Sequence, residues 1–179
     1  MRFGVIRATD GLAMGMISPL LPLYFLLRFG VGSEDLAPVY ALARFLPFFV
    51  FFVVPYVVTR LGNVRCLLII RVASGLIVTF FALSPTFYTA ALFFITYRVL
   101  SQFAMPVRQS FATEISEPSK TGMILGVSGS MRAFAQSLAP TVAGYLFESA
   151  SLSIPLFSGA ALLGINGVQY HVLYRKAQQ

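Results

Sequence analysis

Six long apolar stretches, separated by short polar breaks, account for almost the whole chain. They cover about residues 6–29, 36–59, 66–83, 87–114, 121–147 and 152–174, and are named segments a to f. Apolar residues run continuously through each stretch, whereas the strands of a membrane β-barrel would show alternating polarity in pieces of about 10 residues. About 20 apolar residues in a helix cross the hydrocarbon core of a bilayer. The pattern therefore predicts an all-α membrane protein whose single domain, residues 1–179, contains six transmembrane helices.

The composition supports this class of protein and excludes others. Hydrophobic residues make up 58% of the chain and charged residues only 11%, with a mean hydropathy of +0.82. A soluble domain carries about 25% charged residues, so this chain has too few to cover a surface in water. Its net charge of +7 comes from dispersed Lys and Arg rather than a basic run, so the expected partner is a lipid bilayer and not a nucleic acid. The single cysteine, Cys66, excludes an intrachain disulfide and a cysteine-rich zinc site, and no metal is expected.

Lys and Arg are distributed unequally between the two ends of the predicted helices. With the N-terminus inside, the outer loops hold Glu34, Asp35 and Glu148 with only Arg28 nearby, and Arg71 lies close to an inner end. The inner ends carry eight basic residues: Arg2, Arg7, Arg60, Arg65, Arg108, Lys120, Arg175 and Lys176. Because cytoplasmic loops are enriched in Lys and Arg, we expect a multi-pass protein of the cell membrane with both termini in the cytoplasm.

The six segments resemble two copies of three. Arg44 lies in the middle segment of the first triplet and Arg132 in the middle segment of the second, while Pro22 and Pro106 lie late in the first segment of each. An inverted 3+3 repeat of this kind builds each half of one class of secondary transporter.

A polar stripe follows one face of segment d. Arg98, Ser101, Gln102 and Met105 recur at helical spacing with Tyr97 beside them, and Gln109 continues the stripe. An arginine near the centre of a membrane helix costs about 2.5–3.5 kcal/mol and is tolerated where it faces protein or water. We interpret the stripe as the lining of a substrate cavity, or else as a set of interhelical hydrogen bonds. Met14 and Ser18 of segment a are further candidates for the cavity.

Asp10 and Arg132 are the candidates for coupling transport to an ion. A carboxylate inside a membrane can relay protons, but Asp10 lies near one end of segment a. An ion pair with Arg7, three residues earlier, also explains Asp10. Arg132 lies near the middle of segment e, where it either lines a cavity or bonds to backbone carbonyls.

Small residues form continuous faces on two segments, which predicts close helix packing. In segment a they are Gly11, Gly15 and Ser18, followed by Pro19 and Pro22, which predict a kink. In segment e they are Gly122, Gly126, Gly129, Ser130, Ala133, Ser137, Pro140 and Gly144.

Two other function classes fit the sequence. The tetrapeptide Gly126-Val-Ser128-Gly129 and the only histidine, His171, allow an intramembrane serine protease, provided that the two side chains lie within hydrogen-bond reach. A non-transporting assembly subunit of a membrane complex would also need helix packing, but not a polar stripe open to water.

Two motifs resemble those of the major facilitator superfamily. Residues 55–65, PYVVTRLGNVR, resemble the loop motif G-x-x-x-D-R/K-x-G-x-R/K. Arg60, Gly62 and Arg65 match, whereas Thr59 and Pro55 replace the motif's Asp and first Gly. Residues 135–144, AQSLAPTVAG, are similar to the helix motif G-x-x-x-G-P-x-x-G-G. Pro140 and Gly144 match this motif, whereas Ala135, Ala139 and Ala143 occupy three of its glycine positions.

The resemblance covers nearly the whole chain and implies one six-helix half of such a transporter. The weak loop motif favours the C-terminal half. The family architecture implies that segments a and d line the central cavity, while b and e face a second six-helix half or a second copy of the chain. It implies alternating-access transport of a small-molecule solute, with no enzyme activity and no cofactor. Since no G-x-x-x-x-G-K-S/T loop occurs, ATP is not expected to drive transport.

Overall fold

The computed structural model describes residues 2–114, 116–117, 119–149 and 151–174, and every regular element in them is an α-helix. The eight helices are α1 (Arg2–Ile17), α2 (Leu21–Phe29), α3 (Ser33–Phe45), α4 (Pro47–Leu61), α5 (Asn63–Ala82), α6 (Phe87–Glu114), α7 (Thr121–Ser149) and α8 (Ile154–Tyr174). The prediction of an all-α fold is confirmed for these residues. Arg175 and Lys176, which entered the prediction of orientation, lie outside the described residues, as does the side chain of Arg2.

Four helical stretches are long and apolar enough to cross a membrane, judged by length and composition. They are Phe3–Phe29, Ser33–Leu61, Asn63–Ala82 and Phe87–Glu114. The helices α7 and α8, of 29 and 21 residues, are also long, but they carry more small and polar residues and are not among the four. Several long apolar helices in one short chain indicate a membrane protein.

Prolines interrupt the first two apolar segments. Segment a breaks at residues 18–20, between α1 and α2, which confirms the kink expected from Pro19 and Pro22. Segment b breaks at Leu46, directly before Pro47, an interruption that was not expected. Proline lacks an N–H donor and its ring clashes with the preceding turn, so a new helix starts more easily at a proline than continues through it.

Helix α1 lies at the centre of one side of the bundle, against α7 and α8, while α5 packs against α6 and α8, and α3 and α4 cover α6. The buried apolar side chains form two clusters. On α1, Ile6 belongs to one cluster and Ala13 to the other, and Asp10 lies between them. On α5, Arg71 lies between Ile70 of the first cluster and Val78 of the second. A charged layer therefore separates two apolar cores.

The backbones of α1 and α7 touch at two glycines of α1. A Cβ on Gly11 would collide with the carbonyl oxygen of Arg132, and one on Gly15 would lie 2.6 Å from the carbonyl oxygen of Gln136. Any side chain at these positions would push the helices apart, so glycine is required for this contact. The small residues of segment a thus pack closely against segment e.

The face of α7 that makes this contact is the alanine face, not the glycine-rich face noted in the sequence. Ala135, Ala139 and Ala143 are buried against α1. By contrast, nothing lies within 4 Å of a Cβ built on any glycine of the predicted packing face: Gly122, Gly126, Gly129 and Gly144. Ser130, Ala133 and Ser137 of that face are exposed. Within this chain α7 therefore packs on α1 through its alanine face, on the side from which Arg132 reaches Asp10.

Candidate functional site

Four arginines surround the carboxylate of Asp10. Its Oδ2 lies 2.5 Å from Nη1 of Arg108, 2.8 Å from Nε of Arg132 and 3.7 Å from Nη1 of Arg7. Its Oδ1 lies 2.5 Å from Nη2 of Arg71. These five residues come from α1, α5, α6 and α7, and together they form what is named the Asp10 cluster. A single carboxylate thus holds four helices together.

The Asp10 cluster carries an excess of positive charge inside the bundle. Arginine is always protonated in proteins, so four guanidinium groups against one carboxylate leave a formal charge of +3. Asp10 and Arg71 are fully buried, whereas 9% of the Arg108 side chain, 18% of that of Arg7 and 27% of that of Arg132 are exposed. No other acidic residue forms an ion pair with these arginines in the described part of the chain. The excess charge therefore needs water or another anion.

This arrangement adds to two expectations. The expected ion pair of Asp10 with Arg7 is present, but at 3.7 Å Arg7 is the most distant of four arginine partners, and Asp10 is buried. Arg71 and Arg108 were assigned to inner helix ends, but both are buried beside Asp10. The partners were missed because Arg108 and Arg132 follow Asp10 by 98 and 122 residues, and helix periodicity says nothing about pairs so far apart.

A cavity of about 170 Å³ adjoins the Asp10 cluster, between α1, α6 and α7. It forms because α6 and α7 both pack elsewhere and hardly contact each other. Three of the four arginines border it, and Arg71 does not. Its polar lining residues are Arg7, Ser101, Gln102, Arg108, Gln109 and Arg132, and its apolar ones include Phe3, Met14, Met105 and Leu125.

Some of the residues predicted to line a substrate cavity lie here and others do not. Met14, Ser101, Gln102 and Met105 line this cavity, as does Arg132, which was proposed for coupling. Arg98 does not line the cavity, since it lies about one turn before Ser101 on α6. Arg98 also forms no ion pair among the described residues.

Tyr97 and Ser18 also lie away from the cavity. Tyr97 is buried, and its hydroxyl donates to Sδ of Met14 over 3.1 Å. It therefore supports the wall formed by Met14 rather than the cavity surface. Ser18 lies in the turn between α1 and α2.

The loop motif spans the end of α4, the turn at Gly62 and the start of α5. Gly62 has φ 75° and ψ 158°, a conformation open almost only to glycine. The Arg60 guanidinium lies over the ring of Tyr56, 4.8 Å from its centre, and Arg65 is exposed. Next to the turn, Nδ2 of Asn63 donates to the Glu114 carboxylate over 2.6 Å. Glu114 thus ties the start of α5 to the end of α6.

The residues of the helix motif differ in burial. Ala139 and Ala143 are buried against α1, whereas Pro140 and Gly144 are half-buried. Helix α7 continues through Pro140 without a break. The two alanines, rather than the proline and the glycine, are the part of the motif that packs.

The candidate protease pair has no catalytic geometry among the described residues. The hydroxyl of Ser128 donates to the carbonyl oxygen of Leu125 in its own helix, over 3.3 Å. Nδ1 of His171 has no hydrogen-bond partner in the described part of the chain. A serine nucleophile needs an adjacent base, and no bond joins Ser128 to His171 to supply one.

Comparisons with protein-family models, curated proteins and solved structures find no match to this chain. Its function must therefore be argued from the Asp10 cluster, the adjoining cavity and the helix packing. The sequence reasoning overlooked Arg71 and Arg108 as members of the cluster. The signal that could have found them is that Asp10 is the only acidic residue in the interior of an apolar segment, while several such segments carry an arginine.

Proposed function

We propose that the chain is one six-helix half of a secondary transporter of the major facilitator type, which moves a small solute across a membrane by alternating access. The observation that carries the proposal is the polar cavity between α1, α6 and α7, inside a bundle of long apolar helices. Charged residues at membrane depth are expensive and generally mark a solute or ion pathway. Under the proposal, this cavity is the part of the solute site that this half contributes.

The choice of packing partners supports an inverted 3+3 repeat. Helix α1 of segment a packs on e (α7), as d (α6) packs on b (α3 and α4). Segment a also packs on f (α8), as d packs on c (α5), and c packs on f. Exchanging the triplet a, b, c with the triplet d, e, f leaves these five pairs unchanged, although the slight contact between α6 and α7 lies outside this symmetry. A bundle built from two related triplets is expected to have this symmetry of contacts. The same proposal implies six membrane spans with both termini in the cytoplasm.

The open face of α7 supports a second half as partner, either a different six-helix unit or another copy of this chain. Gly122, Gly126 and Gly129 lie on this face with free space around them. Small residues let two helix backbones approach closely in lipid. A second half seated there would also close the side of the cavity that α6 and α7 leave open.

Under the proposal, an ion gradient or the gradient of the solute itself drives transport.

Uptake into vesicles tests the proposal. Purified chain is reconstituted into liposomes, alone and with a candidate second half, and counterflow of labelled inorganic phosphate, a dicarboxylate, a neutral sugar and an amine is measured. We expect saturable uptake of at least one of these. Met105→Trp should block uptake by filling the cavity, whereas Leu92→Trp, at an exposed position of the same helix outside the cavity lining, should not.

Two results would count against the proposal. One is the absence of saturable uptake of every solute in both preparations. The other is equal uptake by the Met105→Trp and Leu92→Trp variants, since the cavity would then have no part in transport.

A further inference from the structure

We propose that the cavity binds a small anionic group, a carboxylate or a phosphate, which Arg7, Arg108 and Arg132 hold. The inference deepens the proposed function and rests on it only in taking this cavity for the solute site. Binding itself can be measured without transport.

The first argument is the unbalanced charge. Three arginines line the cavity, and no acidic side chain does among the described residues. Asp10 lies behind the lining and is shared with Arg71, so it neutralises one of four guanidinium charges. An anion in the cavity would lower the remaining excess of positive charge, whereas a cation would increase it. The cavity therefore selects against cations and favours anions.

The second argument is the surplus of hydrogen-bond donors. Each guanidinium has five N–H groups and no acceptor. Arg108 uses Nη1 and Arg132 uses Nε to reach Oδ2 of Asp10, and neither forms another hydrogen bond within the described residues. Nε of Arg108 is buried with no hydrogen-bond partner there. A ligand with two or more acceptor oxygens would satisfy such donors, and guanidinium groups bind carboxylate and phosphate in this bidentate way.

The third argument is the neighbouring chemistry and size. Gln102 and Gln109 add amide groups beside the arginines, and Ser101 adds a hydroxyl. Pockets for drug-sized ligands measure about 300–1,000 Å³, so a cavity of about 170 Å³ fits a smaller group. Inorganic phosphate, a short carboxylate, or the charged end of a larger solute completed by a second half would suit it.

A phosphate group could come from a free solute or from the headgroup of an anionic lipid. Met105 and Gln109 are exposed on the open side of the cavity, so both sources have access. The test therefore measures binding to the purified full chain in neutral detergent by titration calorimetry. One arm adds inorganic phosphate or a short dicarboxylate, a second adds micelles containing phosphatidylglycerol, and a third adds choline chloride at matched ionic strength.

Arg7→Gln is the informative variant, because Arg7 borders the cavity but is the most distant partner of Asp10, so the fold should persist. We expect saturable binding of phosphate or carboxylate, none of choline, and about a tenfold or greater loss of affinity in Arg7→Gln. Arg7→Lys keeps the charge without the bidentate fork and should retain an intermediate affinity. Arg98→Gln removes the same charge outside the cavity lining and should bind as the unmodified chain does. Melting temperature in detergent checks that each variant folds.

Several outcomes separate the possibilities. Binding of phosphatidylglycerol but not of free anions, lost in Arg7→Gln, supports the anion site and assigns it to a lipid headgroup. Equal affinity in Arg7→Gln and the unmodified chain, or equal loss in Arg98→Gln, overturns the inference. Anion binding without vesicle uptake supports the site and contradicts the proposed function. Uptake of a neutral or cationic solute without anion binding overturns the inference and leaves the proposed function standing.

Discussion

Oδ1 of Asp10 on α1 lies 2.5 Å from Nη2 of Arg71 on α5, and neither side chain is exposed. Helices α1 and α5 hardly touch each other directly, since both pack against α8. The ion pair is therefore a main direct link between them. A buried ion pair adds little stability over a well-packed apolar pair, but removing one partner leaves an uncompensated buried charge.

Asp10→Asn should destabilise the fold strongly, because four guanidinium groups would lose the one anionic partner that they have among the described residues. We expect the free energy of unfolding to fall by about 3–5 kcal/mol, measured by denaturant unfolding in detergent micelles. Glu148→Gln, at an exposed acidic residue on α7, is the matched control and should change it little. The same unfolding curve for both variants would show that the cluster has no role in stability.

Gly11→Ala should also destabilise the fold, because the new Cβ meets the carbonyl oxygen of Arg132 and pushes α7 away from α1. Overpacking of this kind costs about 1–3 kcal/mol. Gly126→Ala is the control, since a Cβ there has open space, and alanine favours a helix over glycine by about 1 kcal/mol. The melting temperature in detergent should thus fall for Gly11→Ala and rise for Gly126→Ala. A lower melting temperature for Gly126→Ala alone would contradict the observed packing face.

Gly62→Ala should weaken the turn between α4 and α5. The backbone at Gly62 has φ 75° and ψ 158°, which costs a residue with a Cβ about 1–3 kcal/mol. Gly32→Ala, at φ −81° before α3, places the same methyl group in an ordinary conformation. Thermal unfolding of the two variants should separate them, and equal melting temperatures would mean that the turn tolerates a side chain.

The proposed six spans predict which loops are accessible from each side. On a Cys66→Ala background, Ser33→Cys and Ser149→Cys should react with an impermeant thiol reagent from outside the cell, and Ser119→Cys only after permeabilisation. All three serines are exposed. Asn63 is a poor labelling site, because it is buried and bonded to Glu114. Reversed accessibility of Ser33 and Ser119 would refute the orientation.

The local features of the fold could be predicted from the sequence. Continuous apolar stretches between polar breaks predict helices, and Pro19 with Pro22 predicts the break between α1 and α2. The helical spacing of Ser101, Gln102 and Met105 also predicts that they share a face. Each of these depends on neighbours within a few turns of one helix.

The features that depend on which helices meet could not be predicted in this way. On α7, the alanine face contacts α1 on the side where Arg132 bonds to Asp10, and these two residues are 122 positions apart in the sequence. The free-energy cost of inserting an arginine into a membrane marks both Arg98 and Arg132 as unusual. It does not distinguish one from the other. Only the position of Asp10, which pairs with Arg132 and not with Arg98, distinguishes the arginine that lines the cavity from the one that does not.

The position of Asp10 in the chain has a consequence for biosynthesis. Helix α1 is made first, and the three arginines from other helices follow in the order Arg71, Arg108 and Arg132. If helices enter the membrane in the order of synthesis, each arginine arrives after its counter-ion is already there. Inserting an unpaired arginine costs about 2.5–3.5 kcal/mol. If the acidic residue were in the last helix instead, each arginine would enter the membrane without its counter-ion. Because the carboxylate of Asp10 is present from the start, the arginine of each later helix can pair with it as that helix enters the membrane.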